Sequence, residues 1–511
     1  MSKYIFTILL LFFFTQSISQ THELDNGTVL SEREVTGGLD VPWEIKWGPD
    51  NHIWVTERSG QISRVNVETG EKFPILNLIA QLYDAGESGL LGMEIHPDFN
   101  NGAPYVFLAY TYGFNGNASE KIVYYEYDAE QDALINETVI IDGIDGNSTH
   151  IGCRLLAVDN TTLLITTGDA QNWNASQDVD ALTGKTLRVD IDKDSNNFGA
   201  PKSDNPNPNS FVYTIGHRNA QGLAVSPEGI IYSSEHGPNN DDELNVIQAN
   251  LNYGWPNAQG FCDDFADMYY ANALNNSYSE NEYCEDNDIV EPLWSSGTSS
   301  TIAPSDIIWY DHPSIPEFQN SLLMTVLKGK KLVRFTFNET GDVIETETDF
   351  FQYEWGRLRD ICIAPNGKIY LATNGNSWPS QGPNEIIELS NNDYVYPSTF
   401  NCTVDGCVEV NDGLGEYSNI DDCNVVCSTS PTSIDKYNNN FFSFYPNPNS
   451  SDGQLIFNSD EDLFQIEILN IQGQLIHSQT VENNRMNLEG MLENGVYFIK
   501  AQNQLSKLII K

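Results

Sequence analysis

Six times between Trp47 and Trp378 the chain repeats one local pattern: a turn with Pro, Asp, Asn or Gly, an apolar and β-branched strand, then a polar tip. The copies are "WGPDNHIWVTERSGQISRV", "HPDFNNGAPYVFLAYT", "AVDNTTLLITTGDAQ", "VSPEGIIYSSEHGP", "FQNSLLMTVLKGKKLVRF" and "APNGKIYLATNGNSW". Their spacing is irregular, with long insertions, which excludes a solenoid of short repeats. Helical periodicity is almost absent. Units of this size and strand content predict an all-β chain with a six-bladed β-propeller over residues 35–390. The competing arrangement is a β-sandwich beside another β domain.

The repeats carry a register. Aligning strand ends at Thr56, Thr167, Ser234, Val326 and Thr373 places Arg58, Asp169, His236, Lys328 and Gly375 two residues further on. Equivalent positions of different blades open onto one face of a propeller. Asp169, the His236-Gly237-Pro238 loop and Lys328 are therefore expected near one rim, although they are far apart in sequence.

The ends of the chain read differently. "MSKYIFTILLLFFFTQSISQ" has a positive Lys3, an apolar run from Ile5 to Phe14 and a small-residue cleavage site at Ser17-Ile18-Ser19. It predicts a signal peptide over 1–19, since the run is short for a membrane span. A membrane anchor is the alternative, and no other stretch is long enough to span. Export agrees with eight cysteines, four of them, Cys402, Cys407, Cys423 and Cys427, in a Cys-rich segment at 401–428. Their spacings favour disulfides over zinc but leave three connectivities open. A polar linker, 429–440, leads to alternating strands and Asn-Gly or Gln-Gly turns over 441–511, a small β-sandwich.

Lys and Arg number 25 against 72 Asp and Glu, for a net charge of −47. That balance repels phosphate and argues against nucleic acid as a partner; it favours solubility and calcium. Basic clusters are informative against this background. Arg357 and Arg359 are two apart, on one face of a strand. With Arg218 and Lys328 they would make a site of about four cations, suited to a multiply carboxylated small molecule. Each alone could equally pair with a surface acid. His150 has the titration range of a proton acceptor, and Asp169 could orient it. In "EHGPNNDDE" the Gly237 and Pro238 carbonyls could hold calcium, and Asp241, Asp242 and Glu243 another ion, although a solvated acidic turn reads the same way. The chain has no Walker A loop, dinucleotide fingerprint, GxSxG or HExxH.

These residues fall within "GESGLLGMEIHPDF", "THIGCRL", "TTGD", "YTIGHRNAQGLA", "SEHGPNNDDELN", "NYGWP", "LKGK" and "RLRD", in that order from about Val41 to Leu389. In them the chain resembles the soluble quinoprotein glucose dehydrogenases and related aldose and sorbosone dehydrogenases, whose fold is a six-bladed propeller. The resemblance implies His150 as catalytic base, Asp169 as its supporting acid, and Arg218 beside the reacting atoms. Arg218, Asn219, Lys328, Arg357 and Arg359 match residues holding pyrroloquinoline quinone (PQQ), a tricarboxylate. Gly237 and Pro238 match ligands of the cofactor calcium; Glu243, Tyr253 and Asp263 resemble a structural calcium site, next to which Phe261 replaces a tyrosine. Glu87 stands where glucose-oxidising members carry Gln. The tail, with "FYPNP" and "NGVYFIKAQNQLSKLIIK", resembles the type A sorting domain of type IX secretion. Together these imply an exported PQQ- and calcium-dependent dehydrogenase that oxidises an aldose at its anomeric carbon to the lactone and passes electrons to an external or periplasmic acceptor. A calcium-dependent propeller hydrolase, such as a lactonase, and a non-catalytic glycan- or protein-binding propeller are the rival readings.

Overall fold

The computed structural model describes residues 20–429, except 115, 276, 380–383 and 404–405, and beyond them 443–445, 453–458, 463–470, 474–482, 484–488, 491–492, 495–501 and 504–510. The expected signal peptide, 1–19, and all of the expected linker but residue 429 lie outside the described residues. The chain divides into two compact units. One runs to Pro397 and includes Asn411–Leu414; the other comprises Ser398–Val410 and Gly415–Lys511.

The first unit is built from six antiparallel sheets, five of four strands and one of five. Five are simple meanders, as expected where short turns follow each strand. Their first strands are Pro42–Trp47, Leu90–Ile95, Gly152–Asp159, Ala220–Val225 and Pro304–Tyr310, and the sixth sheet contributes Leu358–Ile363. Each lies against the next, and Leu358–Ile363 returns against Pro42–Trp47, so the six sheets close a ring. The sixth sheet is completed from the N-terminus: Val29–Gly37 pairs antiparallel with Glu385–Asn391, and Thr21–Glu23 pairs on its outer edge. Most of that closing strand precedes residue 35, where the sequence reading starts this domain.

The second strands, His52–Glu57, Tyr105–Phe114, Thr162–Thr167, Ile231–Glu235, Ser321–Val326 and Ile369–Thr373, are those of the repeated pattern. Five of them are buried along almost their entire length. They are covered on both faces by neighbouring sheets, which is why they read as apolar runs rather than alternating ones.

One arginine ties the ring together. Arg154 is 1% exposed and bonds Glu44, Asp360 Oδ1 (2.9 Å), Asp306 Oδ1 (3.3 Å) and the carbonyl of Gln221 (2.6 Å), groups on four other first strands. Its guanidinium also lies 4.6 Å from the Trp43 ring. Lys46 joins Glu44 to Glu94 of the second sheet. Burial raises Glu44 to about 7 despite Arg154. Removing one member of such a set leaves the others buried and unpaired.

In the second unit, a hairpin of Thr399–Thr403 and Gly406–Val410 is joined to the helix Ile420–Thr429 by the disulfides Cys402–Cys427 and Cys407–Cys423. A third disulfide, Cys262–Cys284, lies in the first unit, where Cys153 and Cys362 are buried free thiols. Among the described residues, the one cluster of metal-ligating side chains with ligand atoms within 4.8 Å of each other is Cys407, Cys423 and Cys427. These three sulfurs are already in disulfides, which removes zinc from the tail. The last strands hydrogen-bond in one seven-stranded order, where two separate sheets are expected. Its halves are joined through the single pair Glu482↔Arg485 and enclose a core that includes Leu455, Ile466, Ile468 and Ile499.

Candidate active site

In an antiparallel pair, the start of the first strand and the end of the second share one end of the sheet. The registers Leu90↔Tyr110, Gly152↔Thr167, Ala220↔Glu235, Pro304↔Val326 and Leu358↔Thr373 show this for five sheets. Residues just before the first strands (Glu87, His150, Arg218, Asn219, Arg357) therefore share a rim with residues just after the second strands (Asp169, His236, Lys328). His150 and Asp169 flank neighbouring strands of one sheet. His150 sits at φ +59°.

At the centre of the rim, His150 Nδ1 is 2.9 Å from Asp169 Oδ1 and its Nε2 is 2.9 Å from an Arg218 terminal nitrogen. A guanidinium only donates. Nε2 therefore accepts, the proton sits on Nδ1, and Nδ1–H donates to Asp169. The Asp169 side chain is fully buried and also accepts from Trp255 Nε1 (2.9 Å) and the Gln171 amide (2.8 Å). The His150 amide donates to Glu87 Oε2 at 2.9 Å. The result is a neutral imidazole fixed in one tautomer, with its basic nitrogen turned toward Arg218.

Of the cations on this rim, Arg218 contacts the pair directly. Arg218 donates to the His236 carbonyl (3.2 Å) and lies over the Trp255 ring at 5.4 Å. Arg359 is buried, donates to Gln221 Oε1 at 2.8 Å and lies 5.3 Å from the Trp43 ring. Arg357 is half-buried beside Trp378, and exposed Lys328 donates to Ser300 Oγ at 2.6 Å. Among the described residues, none of the four forms an ion pair within 4.0 Å. Glu87 is the acid whose field reaches Arg218, Arg357 and Arg359. Burial pushes all three guanidiniums down. Arg359, with Arg154 and Arg357 adding to burial, falls to about 9. The Nε atoms of Arg218, Arg357 and Arg359, Asn219 Nδ2 and both amide atoms of Asn374 are buried without a partner. Asn219 Oδ1 meanwhile accepts from the Gly152 amide at 3.0 Å. Orphaned donors of this kind, with surplus positive charge, fit a small polycarboxylate.

The metal-ligand expectations divide. The Gly237 amide is held by Asp242 Oδ1 at 3.0 Å. Asp242, read from the sequence as an ion ligand, instead braces the loop: its carboxylate also accepts from Thr301 Oγ1, Ile302 N and Ala303 N. The Tyr253 hydroxyl is taken by the Val246 carbonyl and the Gln248 amide, leaving its own carbonyl as the donor it could offer. Glu243 accepts from Gly260 N and Asn245 Nδ2, and burial, with the charge of Glu235, raises it to about 8. Asp263 is exposed, and its field is felt at Asp241. Glu243 and Asp263 are not joined by a third acid within metal-cluster distance among the described residues.

Sequence reasoning missed Trp255, Gln221, Asn374 and the Arg154 brace. Asn374 was within reach, standing directly after the aligned strand end Thr373. Trp255 falls in the quoted "NYGWP", where nothing in the spacing connects it to Asp169.

The profile of the glucose/sorbosone dehydrogenase family matches residues 39–378. The chain belongs to that family. It is 30% identical over 414 residues to quinoprotein glucose dehydrogenase B of Acinetobacter calcoaceticus, covering 67% of this chain and 85% of that protein. It is 26% identical to the aldose sugar dehydrogenase YliI of Escherichia coli K12, covering 66% and 88%. Among solved structures, the PQQ-bound aldose sugar dehydrogenase of Streptomyces coelicolor is similar at 29% identity, with a TM-score of 0.57, covering 71% of this chain and 98% of that one. Residues 443–511 match the profile of a secretion system C-terminal sorting domain. No helix among the described residues is long and apolar enough to cross a membrane.

Proposed function

We propose that the protein is an exported, PQQ- and calcium-dependent dehydrogenase that oxidises an aldose at its anomeric carbon to the lactone. Its six sheets are read as the blades of a six-bladed propeller spanning about 35–390 together with its N-terminal closing strand. The Cys-rich segment and a type IX sorting domain follow, so the destination is the cell surface or the medium. One observation carries the reading: a His–Asp pair in contact with Arg218 shares its rim with Lys328, Arg357 and Arg359, four cations without ion-pair partners among the described residues, in a chain where acids outnumber bases 72 to 25.

Arg218, Asn219, Lys328, Arg357 and Arg359 would hold the cofactor's carboxylates and carbonyls, and the Gly237 and Pro238 carbonyls would hold calcium beside it. When bound, PQQ supplies the two-electron acceptor that no side chain can provide. His150 Nε2 takes the proton from the anomeric hydroxyl. Asp169 then stabilises the imidazolium through the Nδ1–H bond already in place. Arg218 keeps its positive charge throughout; once Nε2 takes the proton it can no longer accept from Arg218, whose N–H is then available to the oxygen that gains negative charge. Glu243, Tyr253 and Asp263 are assigned to a structural calcium, with Tyr253 contributing its carbonyl.

The test is reconstitution. Purified apoprotein should gain dye-reducing activity on aldoses only when PQQ and calcium are both added. Full activity after exhaustive removal of quinone would refute the assignment.

A further inference from the structure

Asp169 and Arg218 flank His150 with opposite charges, one at each ring nitrogen, yet they do not pair with each other. Their backbones adjoin, because the Asp169 amide donates to the Arg218 carbonyl at 2.7 Å. Of the charges acting on Arg218, that of Asp169 is the largest. Opposite charges so placed and so buried attract strongly. No ion pair within 4.0 Å joins them, and the Asp169 carboxylate is shared instead among His150 Nδ1, the Gln171 amide and Trp255 Nε1.

One side chain touches both charges. The buried Trp255 indole donates its N–H to Asp169 Oδ2 at 2.9 Å, and its ring lies 5.4 Å from the Arg218 guanidinium. The anion meets a donor and the cation meets a π face. The indole is pinned in turn. It belongs to a long insertion of the fourth sheet, residues 247–293, between strands Glu243–Val246 and Trp294–Ser295, which Cys262–Cys284 staples. The Trp255 amide donates to the Gly216 carbonyl at 3.0 Å, two residues before Arg218. Its carbonyl accepts from Gln177 Nε2 at 2.7 Å, and Asn252 holds the Gln177 side chain from both ends, at 2.8 and 3.0 Å. Tyr270 packs 5.4 Å from its ring.

We propose that Trp255 is a positioning residue that keeps Asp169 and Arg218 from closing a salt bridge, so that the carboxylate stays on His150 and the guanidinium stays open to the cofactor. The separation stands on the geometry alone; its consequence for turnover rests on the proposed dehydrogenase reading. Without the indole N–H, Asp169 Oδ2 is left buried and unpartnered. Arg218 Nε is already buried without a partner, so each group then has reason to take the other. The collapsed pair would draw the acceptor away from His150 Nδ1–H and tie up the cation that the cofactor needs.

The experiment uses the full chain with two replacements. Trp255→Phe removes the N–H and keeps a ring. The benzothienyl isostere of Trp255, with sulfur in place of the N–H, keeps the shape as well. Crystal structures of the quinone-free proteins should show Asp169 and Arg218 within 4.0 Å of each other in both variants and apart in the wild type. PQQ affinity, titrated by absorbance, should fall about 10- to 100-fold, the scale of one hydrogen bond to a charged group. In the loaded enzyme kcat should fall about tenfold with aldose KM within about twofold. Asp169→Asn removes the charge that Arg218 would capture, so adding Trp255→Phe to it should change PQQ affinity and kcat by less than about twofold. Losses that add in the double variant would mean a merely structural role and overturn the proposal. So would unmoved charges in both variants, or collapse in the Phe variant alone, where the gap rather than the lost donor would be the cause. If the wild type with PQQ and calcium oxidises no aldose, the dehydrogenase reading falls, and the crystal structures still decide the separation.

Discussion

Arg359→Met should stabilise the empty protein and cripple cofactor capture. The guanidinium is buried, makes one side-chain hydrogen bond, to Gln221, and has Arg154 and Arg357 as like-charged neighbours. Lowering its pKa from 12.5 to about 9 corresponds to ~5 kcal/mol spent on keeping the charge in place. Losing the charged hydrogen bond to Gln221 returns about 1.5–3 kcal/mol of that. The methionine fills the same space beside Trp43 without a charge. A net gain of ~2–3 kcal/mol remains, and the main calorimetric transition of the apoprotein at pH 7 should rise by at least about 2 °C. The same change removes the partner of a cofactor carboxylate. PQQ affinity, read by absorbance titration, should fall about 10²–10³-fold, the range for a buried charge that loses its partner. An apoprotein that melts lower than wild type, or a cofactor affinity that does not change, would refute the reasoning.

His150→Gln should lower turnover of the quinone-loaded protein by about 10²–10⁴-fold with cofactor still bound, and Asp169→Asn should lower it less; a loss under about tenfold would give the base to another group. Lys185 is fully buried against the carbonyls of Ala175, Ser176 and Thr183, and desolvation lowers it to about 7. Between 7 and 10.5 the unfolded chain binds the extra proton, so this group's contribution to stability rises with pH across that window and is lost as pH falls back toward 7. Wild type should therefore gain up to ~2–3 kcal/mol over Lys185→Met from pH 7 to pH 9, read from denaturant midpoints. Deleting residues 430–511 should leave catalysis intact in purified protein but retain the protein in the producing cell, as fractionation and blotting would show.

The sequence made the rim legible because a strand repeat carries its own register. Once Thr167, Ser234, Val326 and Thr373 are aligned, antiparallel pairing alone puts Asp169, His236 and Lys328 at one end of the ring. What it concealed depends on depth and pairing. Arg154 and Arg359 look alike in a string of letters, yet one is ion-paired with three carboxylates and the other with none among the described residues. That difference is set by which first strands adjoin. The disulfides were hidden for a similar reason: Cys153 and Cys362 lie inside the sheets, out of each other's reach, while Cys262 and Cys284 meet across an insertion with no repeat to index it. The closing strand Val29–Gly37 was hidden because its partner lies at the far end of the domain.

That closing strand also sets an order of events. Arg33 meets Glu388 across 355 residues, and Ser31 meets Asn392 across 361. A chain that emerges from a membrane channel N-terminus first delivers its latch at once and the catch last. Five sheets can form by local hairpins while Val29–Gly37 waits, because closing so large a loop is slow. Throughout that interval the strand and its future partner each present an unpaired edge, the kind of edge that recruits a neighbouring chain. Under the proposed export, the vulnerable moment is arrival outside the membrane, before Glu385–Asn391 has cleared the channel, and crowding of nascent copies there would favour strand exchange between them. After closure the hazard disappears, and a cut between Glu23 and Val29 would leave the latch engaged.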